Sequence, residues 1–441
     1  MSLGNLLTRV DWSVLDAAGR RSLLQRPAVR AGAGLAAAVA DIIAEVRAGG
    51  DAALLRLTAR LDGVGLQELA VGADEAAAAE RELDPAATRA IHVAIDNIRR
   101  FHAAQASGPL RVETVPGVVC ERVVRPLRAV GLYVPAGRAP LPSTAMMLGV
   151  PAELAGCPVR VLCTPPRADG RADPAVVVAA RACGIGQVFK LGGAQAIAAM
   201  AYGTASIPKV DKVFGPGNAW VTAAKQAVAL DAEGAALDMP AGPSEVMVIA
   251  DADANPRFVA LDLLSQAEHG PDSQVLLVTT AADLVDRVRA GIAAVLPSLP
   301  RRDIMAESLR HSAAILVPDL AAAIEVANAY APEHLILQVA GPRRWAEQVW
   351  SAGSVFLGPW TPESVGDYCS GTNHVLPTYG YARAYSGLSV ADFQRRMTLQ
   401  ELTPAGLAAL APTVEALAGL EGLQAHAAAV RVRMDAGAPR T

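Results

Sequence analysis

The sequence predicts an α/β protein in which a mostly parallel sheet is covered by helices on both faces. Three observations carry that prediction. Short apolar runs alternate with helical segments through the middle of the chain, 52% of residues are hydrophobic while only 4% are aromatic, and the length is 441 residues. Apolar content that is mostly Ala, Val and Leu suits buried parallel strands with helices laid over them. A prior of roughly 100 to 200 residues per domain implies two or three lobes.

The first hundred residues read as helices. Leu35, Val39, Ile42 and Val46 form one stripe, Gly49 and Gly50 end it, Asp51 can cap the next helix, and Ile91, Ile95 and Ile98 form a further stripe. From Val112 to Val134 the pattern shifts to short strands. Strand and helix then alternate: Val159 to Cys163 with Pro174 to Cys183, Gln187 to Leu191 with Ala194 to Tyr202, and a strand reaching Gly215 before a helix opened by Asn218 that runs through Trp220 and Lys225. The rhythm resumes with strand Glu245 to Ala250, helix Pro256 to His269 and strand Gln274 to Thr279. From Thr398 onward the text reads as a helical tail rich in Ala and Leu.

Charge excludes some partners. The net charge is −4 with no run of Lys or Arg, so neither a nucleic acid nor an acidic membrane surface is expected to bind. The cysteines at 120, 157, 163, 183 and 369 form no C-x-x-C pair and are odd in number, which argues against a disulfide framework or a thiolate metal site and for a reducing cytoplasm. No export segment is expected, and the longest uncharged stretches, Ala139 to Glu153 and Leu191 to Pro208, are too interrupted by Pro and Gly to span a bilayer.

Four segments hold candidate chemistry. In the helix from Pro256, N-capped by Asn255 and stopped by Gly270-Pro271, Gln266 and His269 lie one turn apart and either share a metal ion or form an ordinary polar helix end. Glu333 beside His334 suits proton transfer, the alternative being a solvated helix start. The segment from Pro362 to Thr378 is the densest polar stretch, with Glu363, Ser364, Asp367, Tyr368, Ser370, Thr372, Asn373 and His374; it is a functional loop or a polar surface. In the tail, His426 follows the stripe of Leu423 with Glu421 just before it, and a lone histidine on such a face is more often a packed one. Gln266, His269, Asp367 and His426 are nitrogen and oxygen donors of the kind that suit Zn²⁺, Mn²⁺ or Co²⁺. Two glycine turns, Gly192-Gly193 and Gly215-Pro216-Gly217, precede helices whose free amides favour phosphate, though neither matches G-x-G-x-x-G.

Read together, the segments resemble the histidinol dehydrogenase family over nearly the whole chain. The resemblance is carried by Val130-Gly131-Leu132-Tyr133-Val134-Pro135, Gly192 to Gln195, Phe214 to Asn218, Asp238 to Glu245, Leu264 to Asp272, Ala331-Pro332-Glu333-His334 and Gly366 to His374, in the family's order. It implies one Zn²⁺ per subunit on Gln266, His269, Asp367 and His426, an acid/base pair in Glu333 and His334, and substrate contacts that add Ser244, His374 and Glu421 to these residues. It implies NAD at Tyr133, Gln195 and Asn218. It further implies oxidation of L-histidinol through L-histidinal to L-histidine with two NAD, the last two steps of histidine biosynthesis. The implied architecture is a homodimer with shared active sites. Each chain would have a helical extension at 1–28, two incomplete Rossmann-like lobes at 29–132 with 246–388 and at 133–245, the latter binding NAD, and an exchanged tail at 389–441 whose Glu421 and His426 complete the other subunit's site. The stretch from Arg167 to Asp173 is longer and more charged than the family pattern and reads as a surface insertion. The rival readings are a related zinc and NAD dehydrogenase acting on another small alcohol such as a sulfonated diol, a metal-dependent hydrolase, and a zinc-stapled structural dimer.

Overall fold

The computed structural model describes residues 7–27, 34–105, 108–136, 139–240 and 242–437. The strands in chain order are β1 (Thr8–Asp11), β2 (Leu110–Val115), β3 (Val118–Pro126), β4 (Ala129–Tyr133), β5 (Val159–Thr164), β6 (Gln187–Lys190), β7 (Lys212–Phe214) and β8 (Ala236–Leu237). They continue with β9 (Glu245–Ala250), β10 (Gln274–Thr279), β11 (Ala313–Leu316), β12 (His334–Gln338), β13 (Ser354–Leu357) and β14 (Gln394–Leu402). The chain divides into two compact units, Met1–Gln105 with Arg128–Phe393, and Ala106–Leu127 with Gln394–Thr441. The 28/29 boundary expected for an N-terminal extension lies outside the described residues.

The larger unit holds two parallel sheets. One has the order β6-β5-β4-β7-β8, the other β1-β11-β10-β9-β12-β13. Strands in them are apolar on both faces because both faces are covered. Along β9, Val246, Val248 and Ala250 enter one core while Met247 and Ile249 enter the core on the opposite face, the two-residue period of a strand buried on both sides. Each such side chain contributes about 1.5 to 3 kcal/mol by leaving water, so register in this sheet is held by many independent contacts. The helix Leu35–Leu61 bends at Gly50, whose φ of 50° is open only to glycine at low cost, and packs its Val39, Ile42 and Leu54 on the core of the five-stranded sheet. Asn218 caps the helix Ala219–Leu230 by accepting from Trp220 N–H at 3.0 Å and Val221 N–H at 3.2 Å.

Three expectations change. The first hundred residues are not wholly helical: β1 runs parallel to β11, and Asp11 turns the chain by accepting from Ser13 N–H at 2.9 Å. Four residues are too few to show a strand period. The tail is not helical from Thr398. Residues through Leu402 belong to β14, paired antiparallel with β3 from Gln394↔Pro126 to Leu402↔Val118. Leu399 and Leu402 have helical spacing, but the ladder with β3 overrides it. The helical part begins at Pro404, with Thr403 accepting from Gly406 N–H at 3.0 Å, and continues as Pro404–Glu421 and Gln424–Gly437. The helix from Pro256 ends at Ala267, not His269. Among the described residues no helix is long and apolar enough to cross a membrane.

Candidate active site

In the six-stranded sheet, titratable side chains gather at the amino ends of the neighbouring strands β9 and β12, where His334 pairs with Val246. Ala331, in the left-handed region at φ 56°, and Pro332 end the helix Leu320–Tyr330 and turn the chain into β12. That turn carries Glu333 and His334 inside, at 6% and 3% exposure, so they are not a solvated helix start. The helix Pro256–Ala267 runs back to the same edge and brings Gln266, which is wholly buried; His269 follows just beyond its end and is exposed. The short helix Glu363–Tyr368 presents Glu363 and Asp367 four residues apart on one face.

Bonds around His334 assign its proton. Its Nδ1 lies 3.1 Å from the Glu245 carbonyl, which only accepts, so Nδ1 carries the hydrogen. Gln266, with its amide nitrogen turned inward, is 3.0 Å from the same Nδ1, which as a donor cannot accept, and 2.6 Å from Glu363 Oε1, to which it donates. His334 Nε2 is buried without a hydrogen-bond partner, and the nearest carboxylate to it is Asp367 Oδ1 at 3.5 Å. Glu333 Oε2 accepts from Glu245 N–H at 2.9 Å and lies 3.7 Å from Nδ1, while Glu363 Oε1 lies 3.8 Å from it.

Charge is concentrated here at a cost. Burial pushes Glu333 up to about 8, against the pull of His334. Burial also raises Glu363 well above the usual carboxylate range. Burial alone would lower His334, but Glu363 first, then Glu333 and Asp367, outweigh it and hold the imidazole well above its ordinary value. Asp367 is also desolvated, yet the nearby His334 imidazole, with His374 and His269, keeps it low. Buried ionisable groups on this scale destabilise a fold unless paired, and their clustering marks a site of chemistry.

His269, Glu363 and Asp367 each bring one ligand atom to a group lying within 4.8 Å of one another. Donors on a tetrahedral ion with bonds of about 2.1 Å sit about 3.4 Å apart, so small side-chain movements close the group on a cation. The donors are nitrogen and oxygen with no thiolate, and the surplus of carboxylates favours a divalent charge, so these residues fit a borderline metal ion such as zinc.

Of the residues singled out in the sequence, Gln266, His269, Glu333, His334 and Asp367 meet at this edge. His374 interacts with Asp367 and His334, and its Nε2 is likewise buried without a partner. Ser244 directly precedes β9. Glu421 and His426 belong to the smaller unit and are exposed, so His426 is not the packed residue its spacing suggested. Tyr133, Gln195 and Asn218 lie at the carboxyl edge of the five-stranded sheet. Tyr133 accepts from Gly193 N–H at 3.1 Å, its hydroxyl pushed up to about 12 by burial, and Gln195 donates to Asp62 at 3.1 Å. Gly215, at φ 118°, passes so near Tyr133 that a Cβ would meet its carbonyl oxygen at 2.2 Å. This edge includes the crevice between β4 and β7, where strand order reverses, the place where doubly wound sheets bind ligands.

Sequence reasoning placed Glu363 in a polar segment but not in the site, and missed Glu245 and Arg26 as partners. An acid opening an otherwise apolar strand was a visible signal for Glu245. Arg26 gave none.

A buried acid/base cluster at the edge of one parallel sheet, and helices that begin at the carboxyl edge of a second, are features of an α/β enzyme. Sequence comparison specifies it further. The chain belongs to the histidinol dehydrogenase family, whose model, described as histidinol dehydrogenase, matches residues 25–434. It is 58% identical over 429 residues to histidinol dehydrogenase of Xanthomonas axonopodis pv. citri, covering 97% of this chain and 99% of that one. It is 55% identical over 426 residues to the enzyme of the same name from Photobacterium profundum, covering 97% and 95%. The crystal structure of histidinol dehydrogenase from Elizabethkingia anophelis superposes with a TM-score of 0.94 at 44% identity, covering 98% of each chain.

Proposed function

We propose that this site oxidises L-histidinol through L-histidinal to L-histidine with two NAD and one zinc per subunit, closing histidine biosynthesis. The observation that carries the reading is His334, whose partnerless Nε2 faces the group formed by His269, Glu363 and Asp367. In this reading the zinc ligands are Gln266, His269, Asp367 and the partner subunit's His426, with Glu363 an additional carboxylate in reach. The exposure of Glu421 and His426 leaves both available to a second copy of the chain.

When bound, zinc supplies positive charge that offsets the Glu363 and Asp367 carboxylates and orients a nitrogen-bearing alcohol, while NAD supplies the hydride acceptor. With those carboxylates offset, His334 works as a neutral base. Its Nε2 takes the hydroxyl proton of histidinol as the carbinol carbon loses hydride, and its Nδ1–H stays on the Glu245 carbonyl. Glu333, held by the Glu245 amide, takes a proton from the water that adds to the aldehyde carbon. His334 returns its first proton to the aldehyde oxygen as the water adds, then takes one hydroxyl proton of the hydrate as the second hydride leaves for NAD; the carboxylic acid so formed releases its remaining proton to solvent as the carboxylate. Ser244, His374 and the partner's Glu421 contact the substrate, and Tyr133, Gln195 and Asn218 flank the nicotinamide nucleotide. The expected homodimer follows from the shared site.

The test is absorbance of reduced nicotinamide with L-histidinol as substrate. Two reduced nicotinamides per histidinol, abolished by a chelator and restored by zinc, are expected. Product without NAD would indicate hydrolysis, and no reaction with histidinol would point to another small alcohol such as a sulfonated diol; either overturns the proposal.

A further inference from the structure

One guanidinium ties together the two segments that present the acid/base pair. Arg26, its side chain 10% exposed, donates Nε and Nη2 to the two carboxylate oxygens of Glu245 at 2.5 and 2.8 Å. The same Nη2 reaches the carbonyls of Tyr330 at 2.9 Å and Ala331 at 3.3 Å, and the group lies 3.8 Å from the centre of the Tyr330 ring. None of these bonds is to Glu333 or His334.

Glu245 is where they converge. Its side chain, 2% exposed, is fixed by Arg26 and by Tyr379 N–H at 2.7 Å. Its main chain holds the site: the amide binds Glu333 and the carbonyl binds His334 Nδ1. Tyr330 and Ala331 form the turn that delivers Glu333 and His334 into β12. Arg26 therefore sets the spacing between the first residue of β9 and the turn before β12, which is the spacing those two bonds require. A planar fork with several fixed donors suits that task as an ammonium does not.

We propose that Arg26 is a positioning residue: acting through Glu245 and the Tyr330 and Ala331 carbonyls, it holds His334 as the Nδ1–H tautomer and leaves Nε2 open to substrate. The proposal rests on the reading of His334 as the base.

The experiment compares Arg26→Met, Arg26→Lys and the double variant Arg26→Met/Glu245→Gln in the full chain. It records kcat and KM for histidinol, zinc per chain, and the ¹⁵N shifts of the His334 imidazole, assigned by its loss in His334→Asn. In the unaltered protein Nδ1 reads as protonated and Nε2 as bare. With Arg26→Met, kcat falls roughly 100-fold, as a small misplacement of reacting groups does. KM and zinc stay within about twofold, and the two nitrogen shifts move toward each other. Arg26→Lys restores part of kcat. The double variant buries no unpaired charge, so it keeps the test decisive if Arg26→Met misfolds, and its kcat remains low. Unchanged kcat and shifts in the double variant, or a loss of kcat that follows zinc loss alone, overturn the proposal. If the unaltered protein does not oxidise histidinol, the parent reading fails, and the ¹⁵N comparison still decides the role of Arg26.

Discussion

The two parallel sheets of the larger unit share one winding and use opposite edges. In β6-β5-β4-β7-β8 and in β11-β10-β9-β12-β13 the first strand of the run lies beside the fourth, with the second and third on its other side. At the carboxyl edge of the five-stranded sheet, helices begin, and the candidate residues are neutral and engaged with their own fold: Tyr133 with Gly193, Gln195 with Asp62, and Asn218 with the amides it caps. At the amino edge of the six-stranded sheet, helices end, and three carboxylates surround an imidazole. Helix beginnings carry free N–H groups and partial positive charge, and helix ends the reverse. One edge of this winding is therefore suited to a phosphate-bearing molecule and the other to a cation. The fold offers both, and the side chains decide which is used.

The contrast can be broken most forcefully at His334. His334→Asn is expected to slow production of reduced nicotinamide by about 1,000-fold with zinc content unchanged; normal turnover would separate the charged edge from the chemistry. A smaller effect tests whether buried charge costs stability on the six-stranded side. Asp262, one turn before Gln266, is 6% exposed and accepts from Gln338 at 2.6 Å. Burial raises its pKa to about 6, against the Gln338 hydrogen bond. A folded pKa above the unfolded one gives a stabilising contribution that is complete below the unfolded value and is lost as pH rises through about 6. Asp262→Asn should therefore gain about 2 kcal/mol relative to the unaltered chain at pH 8 and nothing near pH 3, measured by urea unfolding at both. An equal effect at the two pH values would show that ionisation is not what matters. The smallest effect belongs to the five-stranded sheet. Tyr133→Phe leaves the Gly193 amide without its acceptor, a cost of about 1 kcal/mol, and should raise KM for NAD several-fold while kcat and the histidinol KM hold. A matching rise in the histidinol KM would deny the division of labour between the edges.

Much of this organisation was legible because it depends on local signals. Strands β9 and β10 were read to the residue, since continuous apolar runs bounded by turn residues leave little choice. Asn218 and Asn255 were recognisable as caps from residue type and from the helices they open. What escaped depended on distant partners. β14 exists because β3 lies beside it, and its own spacing favoured a helix. Glu333 and His334 could be read as solvated until Ala331 and Pro332 were seen to turn them inward. Glu363 looked like one polar residue among many, and only its approach to Gln266 and His334 distinguishes it.

β1 is one of the earliest described segments of the chain, yet its sheet partner β11 follows roughly three hundred residues later, and ordering such distant pairs slows folding. During synthesis this strand emerges with nothing to pair with until the chain has been made past Leu316. The same wait applies to Arg26, whose carboxylate partner is 219 residues away. The opening segment is thus a latecomer to the finished molecule although it leaves the ribosome early, and an unfinished chain released before β11 has neither its docking surface nor its base.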